Sequence, residues 1–452
     1  MQRRNFKIKS PNERELSFLI LYRVLEEDGY TNLSIQSTFK TFQPSFIERN
    51  WATAAVYGVT SRLTGIDYIL NKKLKRPLEQ LQPAVRTVLR LGVWELTESY
   101  ESNVAAICDQ ACNLTKKVAN RGAVGLVNGV LRALIRKPVI LPKKDLGLQF
   151  GLIPELAGLF KKWFGDEAAE LLKAFDQQTN LTVRLRDPAL PENWQEEEST
   201  FSPASFMPEG RFVHLKSNTI ADLPSFKNGS IMVQGEGAML AGSLHGLRSG
   251  NCALDACAAP GSKTIQLADA VGLSGQVIAQ DIHPVRLQRI KDHLHRCNVH
   301  NVELMERDAT QPIPSEWTGM FDAVLVDAPC SGLGQLGNRP ELRFRMTYEQ
   351  IQSLYPLQKQ ILEVSAQAVK PGGRLIYSTC TLNPAENEGQ LLAFLDSHSQ
   401  FVSVDLMPLL PKRLLDKDPT LQVDASKGYI TLRPDRHNCE GFFVGLMELK
   451  EN

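Results

Sequence analysis

The sequence predicts three domains: an all-α domain at residues 1–145, a small α+β module at 146–235, and a C-terminal α/β domain at 236–452. Three observations lead to this fold class. Apolar residues recur at helical intervals from residue 11 to residue 137. The next stretch mixes one helix with short strands, and the remaining chain alternates apolar runs with amphipathic helices. A chain of 452 residues is also too long for one ordinary core.

The N-terminal domain is predicted to be helical throughout. Four segments place apolar residues three and four positions apart: ERELSFLILYRVLEE, FIERNWATAAVYGVTSRLTGIDYIL, PAVRTVLRLGVWELTES and AVGLVNGVLRALIRK. Pro83 suits a first helical turn, and the basic residues near the end of the last helix suit its C-terminus. The following KPVILPKKD interrupts the pattern and is predicted to be a linker.

The middle module is predicted from a helical stretch, IPELAGLFKKWFGDEAAELLKAFDQQ, and from strand-like runs on either side of the polar loop PENWQEEESTFSP. The C-terminal domain opens with CALDA, a Pro-Gly turn and the helix SKTIQLADAV. It continues with GQVIAQD, PVRLQRIKDHLHRC, FDAVLVDA, YEQIQSLYPLQKQILEVSAQAV and GRLIYST. This alternation is typical of a parallel, doubly wound sheet. YITLRP and GFFVGLMEL have no helix between them and are predicted to pair as antiparallel edge strands.

Charge is distributed unevenly along the chain. Residues 1–150 contain 23 Lys and Arg against 13 Asp and Glu, whereas the remainder contains 28 against 37, and the whole chain carries only +1. A basic helical module could bind a polyanion, although a solvated helical face would give the same count.

Several classes of protein are not expected. No stretch reaches the roughly 18 apolar residues of a membrane span, and the basic N-terminus lacks an apolar signal core. Eight cysteines without regular spacing do not indicate a disulfide framework, and there is no Cys-x-x-Cys pair. Cys108 and Cys112 lie four apart in a helical pattern and are expected to be core residues. We therefore expect a cytoplasmic protein without a metal site.

A ligand site is expected beyond the carboxyl ends of the parallel strands. Residues 255–264, DACAAPGSKT, combine small residues with a turn and a helix start, but they form neither G-x-G-x-x-G nor a Walker A loop. Asp281 ends the second strand, where a carboxylate can accept from two ribose hydroxyls or instead cap the next helix. Asp308 follows the third strand and could reach an adenine amino group, and Asp327 ends the fourth.

Two cysteines follow strand-like runs directly. Cys330 lies in VLVDAPCSGLG, and Cys380 lies in LIYSTCTLNPAENE, where an acid-rich segment follows. A thiol just beyond a strand end can be a packed side chain or a nucleophile, and the local residues leave both interpretations open.

The chain resembles the ribosomal RNA cytosine-C5 methyltransferases of the RsmB/Sun branch, which use S-adenosyl-L-methionine. The resemblance rests on CAAPGSK, AQD, RDA, DAPCSGLG and YSTCTLNPAENE in this order, and on the terminal GFFVGLMEL. VYGVTSRLTGIDYIL, LRLGVWEL and VNGVLRALIRK look like the NusB-like domain of that branch. The resemblance implies a Rossmann-like methyltransferase domain, an RNA-binding NusB-like domain and methylation of a cytidine in small-subunit (16S) ribosomal RNA. We expect a monomer that binds ribosomal RNA and neither DNA nor a membrane.

The resemblance also implies residue roles. The cofactor loop would consist of Cys257, Ala258, Ala259, Pro260, Gly261, Ser262 and Lys263. Asp281 would hold the ribose hydroxyls, Asp308 the adenine, and Asp327 would border both the cofactor and the target base. Cys380 would be the nucleophile, and Cys330 would help to release the product. Ser262 departs from the family pattern, which usually has a second glycine there, and Glu341 stands where Asp is commoner.

Two other functions compete with this interpretation. A DNA cytosine methyltransferase would place its nucleophile at Cys330, but the additional Thr-Cys motif at Cys380 and the NusB-like segments argue against it. A non-catalytic RNA-binding assembly factor would use the fold only as a scaffold, but the two intact cysteines with Asp281 and Asp327 argue against that function.

Overall fold

The computed structural model describes residues 6, 8–98, 104–177, 180–186, 194–196, 199–216 and 219–451. Positions 191–193 and 197–198 of the predicted polar loop PENWQEEESTFSP lie outside the described residues. The loop prediction is wrong for Trp194–Glu196 and Ser199–Pro203, which form two paired strands. The chain divides into two compact units. Unit 1 comprises Met1–Asp176 and Leu336–Tyr348, and unit 2 comprises Gln177–Gln335 and Glu349–Asn452. The three-domain division with boundaries at 145 and 235 stays a prediction.

Unit 1 is helical, which confirms the prediction from apolar spacing. Its first ten helices are α1 Glu13–Glu26, α2 Thr31–Phe42, α3 Phe46–Ser61, α4 Leu63–Asn71, α5 Pro83–Glu98, α6 Val104–Val118, α7 Arg121–Arg136, α8 Leu146–Phe150, α9 Pro154–Phe164 and α10 Ala168–Ala174. Side chains of Asn12, Ser45 and Asn120 accept hydrogen bonds from the first turns of α1, α3 and α7. Cys108 lies in the apolar core of this unit as predicted, and Cys112 is half-buried.

Unit 2 contains a small antiparallel sheet. Its strands are β1 Leu181–Leu185, β2 Trp194–Glu196, β3 Ser199–Pro203, β4 Gly210–His214 and β5 Ile231–Val233. Their order is β2-β3-β4-β1-β5, and every pair is antiparallel. The short helix α11 Pro224–Lys227 lies between β4 and β5, and α12 Glu236–Ser243 follows β5. Trp194 and Phe201 stack across β2 and β3 with ring centroids 3.8 Å apart, so the short β2 is held by aromatic contact as well as by its ladder.

The large sheet of unit 2 carries the predicted parallel pattern. Its strands are β6 Cys252–Asp255, β7 Gln276–Asp281, β8 Val302–Glu306, β9 Phe321–Asp327, β10 Val369–Thr379, β11 Phe401–Ser403, β12 Tyr429–Leu432 and β13 Phe442–Leu449. The order is β11-β13-β10-β9-β6-β7-β8, and β12 also pairs with β13. Strands β6 to β10 are parallel, whereas β13 is antiparallel to β10. The predicted antiparallel pairing of β12 with β13 is confirmed, but the prediction that both are edge strands is wrong for β13, because β10 pairs along its other side.

Both faces of the parallel strands are buried. The connecting helices are α13 Ser262–Val271, α14 Pro284–Arg296, α15 Leu342–Arg345 (part of unit 1), α16 Tyr348–Ala366, α17 Glu388–Ser397, α18 Lys412–Lys417, α19 Gln422–Ala425 and α20 Pro434–His437. Along β9, Ala323 and Leu325 pack in one core, and Val324 and Val326 pack in the other. Burial on two faces explains why these strands read as continuous apolar runs. None of the described helices is long and apolar enough to cross a membrane.

Arg343 joins the returning segment Leu336–Tyr348 to the helices of unit 1. Its guanidinium is fully buried and forms a salt bridge of 2.8 Å to Asp176 Oδ1. It also donates to the carbonyl oxygen of Phe150 at 2.8 Å. The other oxygen of Asp176 binds Arg62 at 2.6 Å. One carboxylate therefore balances two arginines, one of which has no access to solvent.

Asp176→Ala is expected to lower the free energy of unfolding of unit 1 by about 3–5 kcal/mol, because it leaves a buried guanidinium without its counter-charge. Urea titration followed by far-ultraviolet circular dichroism measures this loss. The matched control is Glu170→Ala, since Glu170 pairs with Lys173 at 3.8 Å on the exposed surface. That pair should contribute less than about 1 kcal/mol. If both substitutions lowered the free energy of unfolding by the same small amount, the buried Arg343–Asp176 pair would not be needed for the stability of unit 1.

Candidate active site

The loop between β6 and α13 lies at the carboxyl end of its strand, as predicted for residues 257–263. Gly261 has φ +105°, and a Cβ atom there would lie 3.0 Å from Ile290 Cγ2, so this position requires glycine. Ser262 is the first residue of α13 and has no positive φ. The serine at this position is therefore compatible with the turn. Burial raises the pKa of Cys257 well above its usual value, which makes that thiol a poor nucleophile.

Asp281 and Asp308 follow the next two strands, and both reach the same edge of the sheet. Asp281 is buried, and its Oδ1 accepts from the backbone N–H of His283 at 2.9 Å. Its other carboxylate oxygen has no hydrogen-bond partner among the described residues. Asp308 Oδ1 accepts from the N–H and hydroxyl of Thr310 at 2.9 and 2.8 Å, and these bonds lower its pKa. The N-cap of α14 is His283, so the capping alternative for Asp281 is wrong. Asp281 closes a local turn before the helix and retains an oxygen for a ligand.

Asp327 and Lys263 form an ion pair at the centre of the site. Lys263 Nζ lies 2.7 Å from Asp327 Oδ2, and Ser378 donates its hydroxyl to Asp327 Oδ1 at 2.8 Å. Burial alone would lower the pKa of Lys263, but the charges of Asp327 and Asp255 outweigh it and raise that pKa. Lys263 is therefore a fixed positive charge. The sequence placed Lys263 in the loop but contained no indication of its partner.

Asp255 is a buried acid at the end of β6, just before the 257–263 loop. The sequence identifies it only as the end of a strand. Its Oδ2 accepts from the hydroxyl of Thr264 at 2.7 Å. Burial, together with the charge of Asp327, raises the pKa of Asp255 to about 7. The position directly after an apolar strand is the only local signal that could have identified it.

The structure brings together the two cysteines that the sequence singled out. Cys330 Sγ and Cys380 Sγ lie 3.4 Å apart, and both residues are half-buried. The reason is the parallel pairing of β9 and β10, in which Asp327 lies opposite Ser378. The hydrogen bond to Cys380 and burial raise the pKa of Cys330 well above its usual value. Cys330 is therefore protonated at neutral pH.

Lys263 supplies the electrostatic partner of Cys380 that the sequence did not identify. The negative charge of Cys380 is among the influences that raise the pKa of Lys263. Because such an interaction is mutual, the ammonium group favours the thiolate form of Cys380. The two thiols consequently differ electrostatically: the charge of Lys263 acts on Cys380, whereas the pKa of Cys330 is raised well above its usual value. This asymmetry is suited to one nucleophile and one proton donor.

The site contains oxygen, nitrogen and thiol groups but no arrangement suited to a metal. Within the described ranges, no group of three or more His, Cys, Asp or Glu residues could hold a metal ion. A cationic ligand with ribose hydroxyls fits the chemistry of the edge better. Asp281 offers an acceptor, Asp327 offers negative charge, and Gly261 allows a close approach of the backbone.

Comparisons with known proteins agree along nearly the whole chain. Residues 244–448 match the family described as 16S rRNA methyltransferase RsmB/F, and residues 11–136 match the NusB family. The probable ribosomal RNA small subunit methyltransferase B of Synechocystis sp. is 32% identical over 443 residues, which cover 95% of this chain and 98% of that protein. The corresponding protein of Bacillus subtilis is 28% identical over 463 residues, covering 98% of this chain and 100% of that protein.

A solved structure is similar to this fold over a comparable length. The crystal structure of PH0851 superposes with a TM-score of 0.80, covers 98% of this chain and 100% of its own, and is 23% identical. At that identity the likeness supports the fold alone, whereas the Synechocystis relative supports the family. The chain therefore belongs to the ribosomal RNA small subunit methyltransferase B family, with a NusB domain followed by an RsmB/F methyltransferase domain.

Proposed function

We propose that this protein transfers a methyl group from S-adenosyl-L-methionine to carbon 5 of a cytidine in small-subunit ribosomal RNA through a covalent cysteine adduct. Membership of the family supports ribosomal RNA methylation in general. The observation that carries the finer proposal is the pair of thiols 3.4 Å apart, with the charge of the largely buried Lys263 acting on Cys380. Methylation of an amino group or a ribose hydroxyl needs no nucleophilic thiol, whereas carbon 5 of cytosine does.

Cys380 is the proposed nucleophile. Its thiolate, favoured by Lys263, adds to carbon 6 of the base, so that a sulfur–carbon bond forms and the electron pair of the 5,6 double bond moves to carbon 5. Bound S-adenosyl-L-methionine supplies an electrophilic methyl group, which carbon 5 then takes. Asp327, which ends β9, would border both base and cofactor and would stabilise the amino side of the ring while the adduct exists.

Cys330 is proposed to assist release of the product. Its protonated thiol lies 3.4 Å from Cys380 Sγ and can give a proton to that sulfur as the bond to carbon 6 breaks. The Cys330 thiolate so formed can take the proton from carbon 5, which restores the 5,6 double bond. Each sulfur then carries one proton, and Cys380 regains its thiolate form by losing its proton to solvent, so one proton is released for each methyl group transferred.

The proposed cofactor site consists of the 257–263 loop with Asp281 and Asp308. Asp281 would accept from the ribose hydroxyls through its unpaired oxygen, and Asp308 would contact the adenine. Asp327 would lie next to the positive sulfonium group, because its carboxylate stands at the end of β9 and contacts Lys263 of the 257–263 loop. These assignments follow from the strand ends on which the residues lie.

The N-terminal residues 1–145 are proposed to bind ribosomal RNA. This region has ten more basic than acidic residues, whereas the remainder has nine more acidic than basic ones, and phosphate contacts by a separate basic module would compensate for the acidic remainder. The target base must also leave its stack to reach Cys380, which favours a single-stranded or flexible site. A monomeric state, a cytoplasmic location and the absence of DNA binding stay predictions.

Cys380→Ala is expected to abolish methyl transfer and to form no covalent RNA adduct. Cys330→Ala should methylate carbon 5 once and then stall with RNA attached through Cys380, because elimination has lost its proton donor. Denaturing gels of the two variants with small-subunit RNA, labelled cofactor and a DNA control measure this difference. An adduct in Cys380→Ala with none in Cys330→Ala would reverse the roles and favour the DNA-type mechanism. Methylation of carbon 5 by both variants would refute the proposed chemistry.

Asp281→Ala is expected to weaken binding of S-adenosyl-L-methionine about tenfold or more, because a charged hydrogen bond contributes roughly 1.5–3 kcal/mol. Isothermal titration calorimetry measures the dissociation constant directly. Asp292→Ala is the matched control, since Asp292 is an exposed acid of the following helix α14. Unchanged affinity in a folded Asp281→Ala protein would remove this residue from the cofactor site.

Replacing Lys72, Lys75 and Arg76 with glutamine is expected to weaken RNA binding and to reduce its dependence on salt. The three side chains are exposed just after α4, in the most densely basic stretch of the N-terminal region. Each lost phosphate contact should reduce the slope of log affinity against log salt by about 0.7 on single-stranded RNA. The control replaces Lys412 and Arg413, which are exposed in unit 2. Identical slopes for the wild type and the triple variant would exclude this stretch from phosphate binding.

A further inference from the structure

Glu386 has a fully buried carboxylate in the short turn between Cys380 and α17. Buried acids are uncommon unless a base pairs with them. In the part of the chain that the structure describes, no Lys or Arg forms a salt bridge with Glu386. Its partners are neutral donors from three separate segments of unit 2.

The two oxygens of Glu386 accept four hydrogen bonds. Oε2 accepts from the backbone N–H of Ser331 at 2.8 Å and from Gln358 Nε2, in α16, at 2.9 Å. Oε1 accepts from the hydroxyl of Ser331 and from Asn383 Nδ2, the latter at 2.9 Å. Four donors are the full set that a carboxylate can accept. All these residues are buried, so water cannot replace a lost partner.

These bonds fix the chain on both sides of Cys330. Ser331 follows the cysteine directly and uses its N–H and its hydroxyl on the Glu386 carboxylate. Gln358 donates to Glu386 and also to the carbonyl oxygen of Pro329, at 3.0 Å, on the other side of the cysteine. The position of the Cys330 thiol therefore depends on this one carboxylate.

The same turn fixes the chain on both sides of Cys380. Asn387, the residue after Glu386, accepts from the hydroxyl of Thr379 at 2.6 Å and donates to the carbonyl oxygen of Thr381 at 3.0 Å. These two threonines flank Cys380 in the sequence. The acid-rich segment that follows the cysteine is thus a support for both thiols.

The charge of Glu386 adds to the difference between the two thiols. The Cys380 hydrogen bond and burial contribute most to the raised pKa of Cys330, and the negative charge of Glu386 raises it further. Lys263 acts in the opposite sense on Cys380. A carboxylate at this position therefore favours the protonated form of Cys330.

We propose that Glu386 is a positioning residue for methyl transfer, whose carboxylate holds the Cys330 loop and the Cys380 turn together so that both sulfur atoms meet one base. The inference rests on the cytosine-C5 function proposed above. A carboxylate is needed because all four partners donate. A glutamine at this position would turn its own NH₂ group toward one pair of donors.

Glu386→Gln is expected to lower kcat for methyl transfer by about a hundredfold, the effect of moving a reactive group by roughly 1 Å. The dissociation constant for S-adenosyl-L-methionine should not change, because Asp281 and the 257–263 loop remain in place. In the Cys330→Ala background, where release of the product is blocked, adding Glu386→Gln should slow adduct formation by the same factor as it lowers kcat. This double variant measures the attack by Cys380 separately from product release. The matched control is Glu388→Gln, a half-buried acid two residues further along that makes none of these bonds. It should leave kcat, cofactor binding and adduct yield intact.

Wild-type kcat and adduct yield in a folded Glu386→Gln protein would overturn the proposal. If that variant does not fold, Ser331→Ala decides, since it removes one donor and keeps the buried charge. A several-fold loss of kcat at unchanged cofactor affinity would then support the proposal, and an unchanged kcat would refute it. Failure of the underlying cytosine-C5 function is distinguishable, because the wild type would then make no 5-methylcytidine and Cys330→Ala alone would form no adduct.

Discussion

The parallel pairing of β9 with β10 is the constraint on which the active site depends. Asp327 lies opposite Ser378, so the chain leaves both strands at the same edge of the sheet. Cys330 and Cys380 follow within three residues of this pair, and their sulfur atoms meet at 3.4 Å. A slip of one residue would turn alternate side chains to the opposite face and separate the thiols. Burial of both faces of the sheet makes such a slip costly.

Charge is arranged around this strand pair so that two chemically identical thiols differ. Lys263 stays protonated because Asp327 and Asp255 outweigh the effect of burial on its pKa. Asp255, which has no cation at hydrogen-bonding distance in the described part of the chain, has its pKa raised to about 7 by burial. The positive charge of Lys263 therefore acts on Cys380, while Cys330 stays protonated. In the same buried environment, Lys263 keeps its charge whereas the charged form of Asp255 is disfavoured, because different charges lie close to each group.

Each compact unit contains a buried ionic side chain whose contacts reach distant parts of the chain. In unit 1, Arg343 joins a returning segment to Asp176 and to helix ends. In unit 2, Glu386 joins the supports of the two thiols. An apolar side chain would avoid the cost of burying a charge, but it would leave several donors or acceptors without partners. A buried charged group with several partners is satisfied in only one arrangement of the surrounding chain. Such a restriction is useful in an active site, where the positions of the reactive groups must be fixed.

The sequence by itself determined the helical N-terminal unit, the parallel sheet with its antiparallel β12–β13 pair, and the strand ends where the motif residues lie. These features follow from apolar periodicity and turn residues, which are local properties of the chain. Only the tertiary structure decided which side chains meet. Lys263 and Asp327 are 64 residues apart, Ser331 and Glu386 are 55 apart, and Arg343 and Asp176 are 167 apart. Strand order and helix packing bring these groups together, and burial then sets their protonation, so no local pattern contains either result.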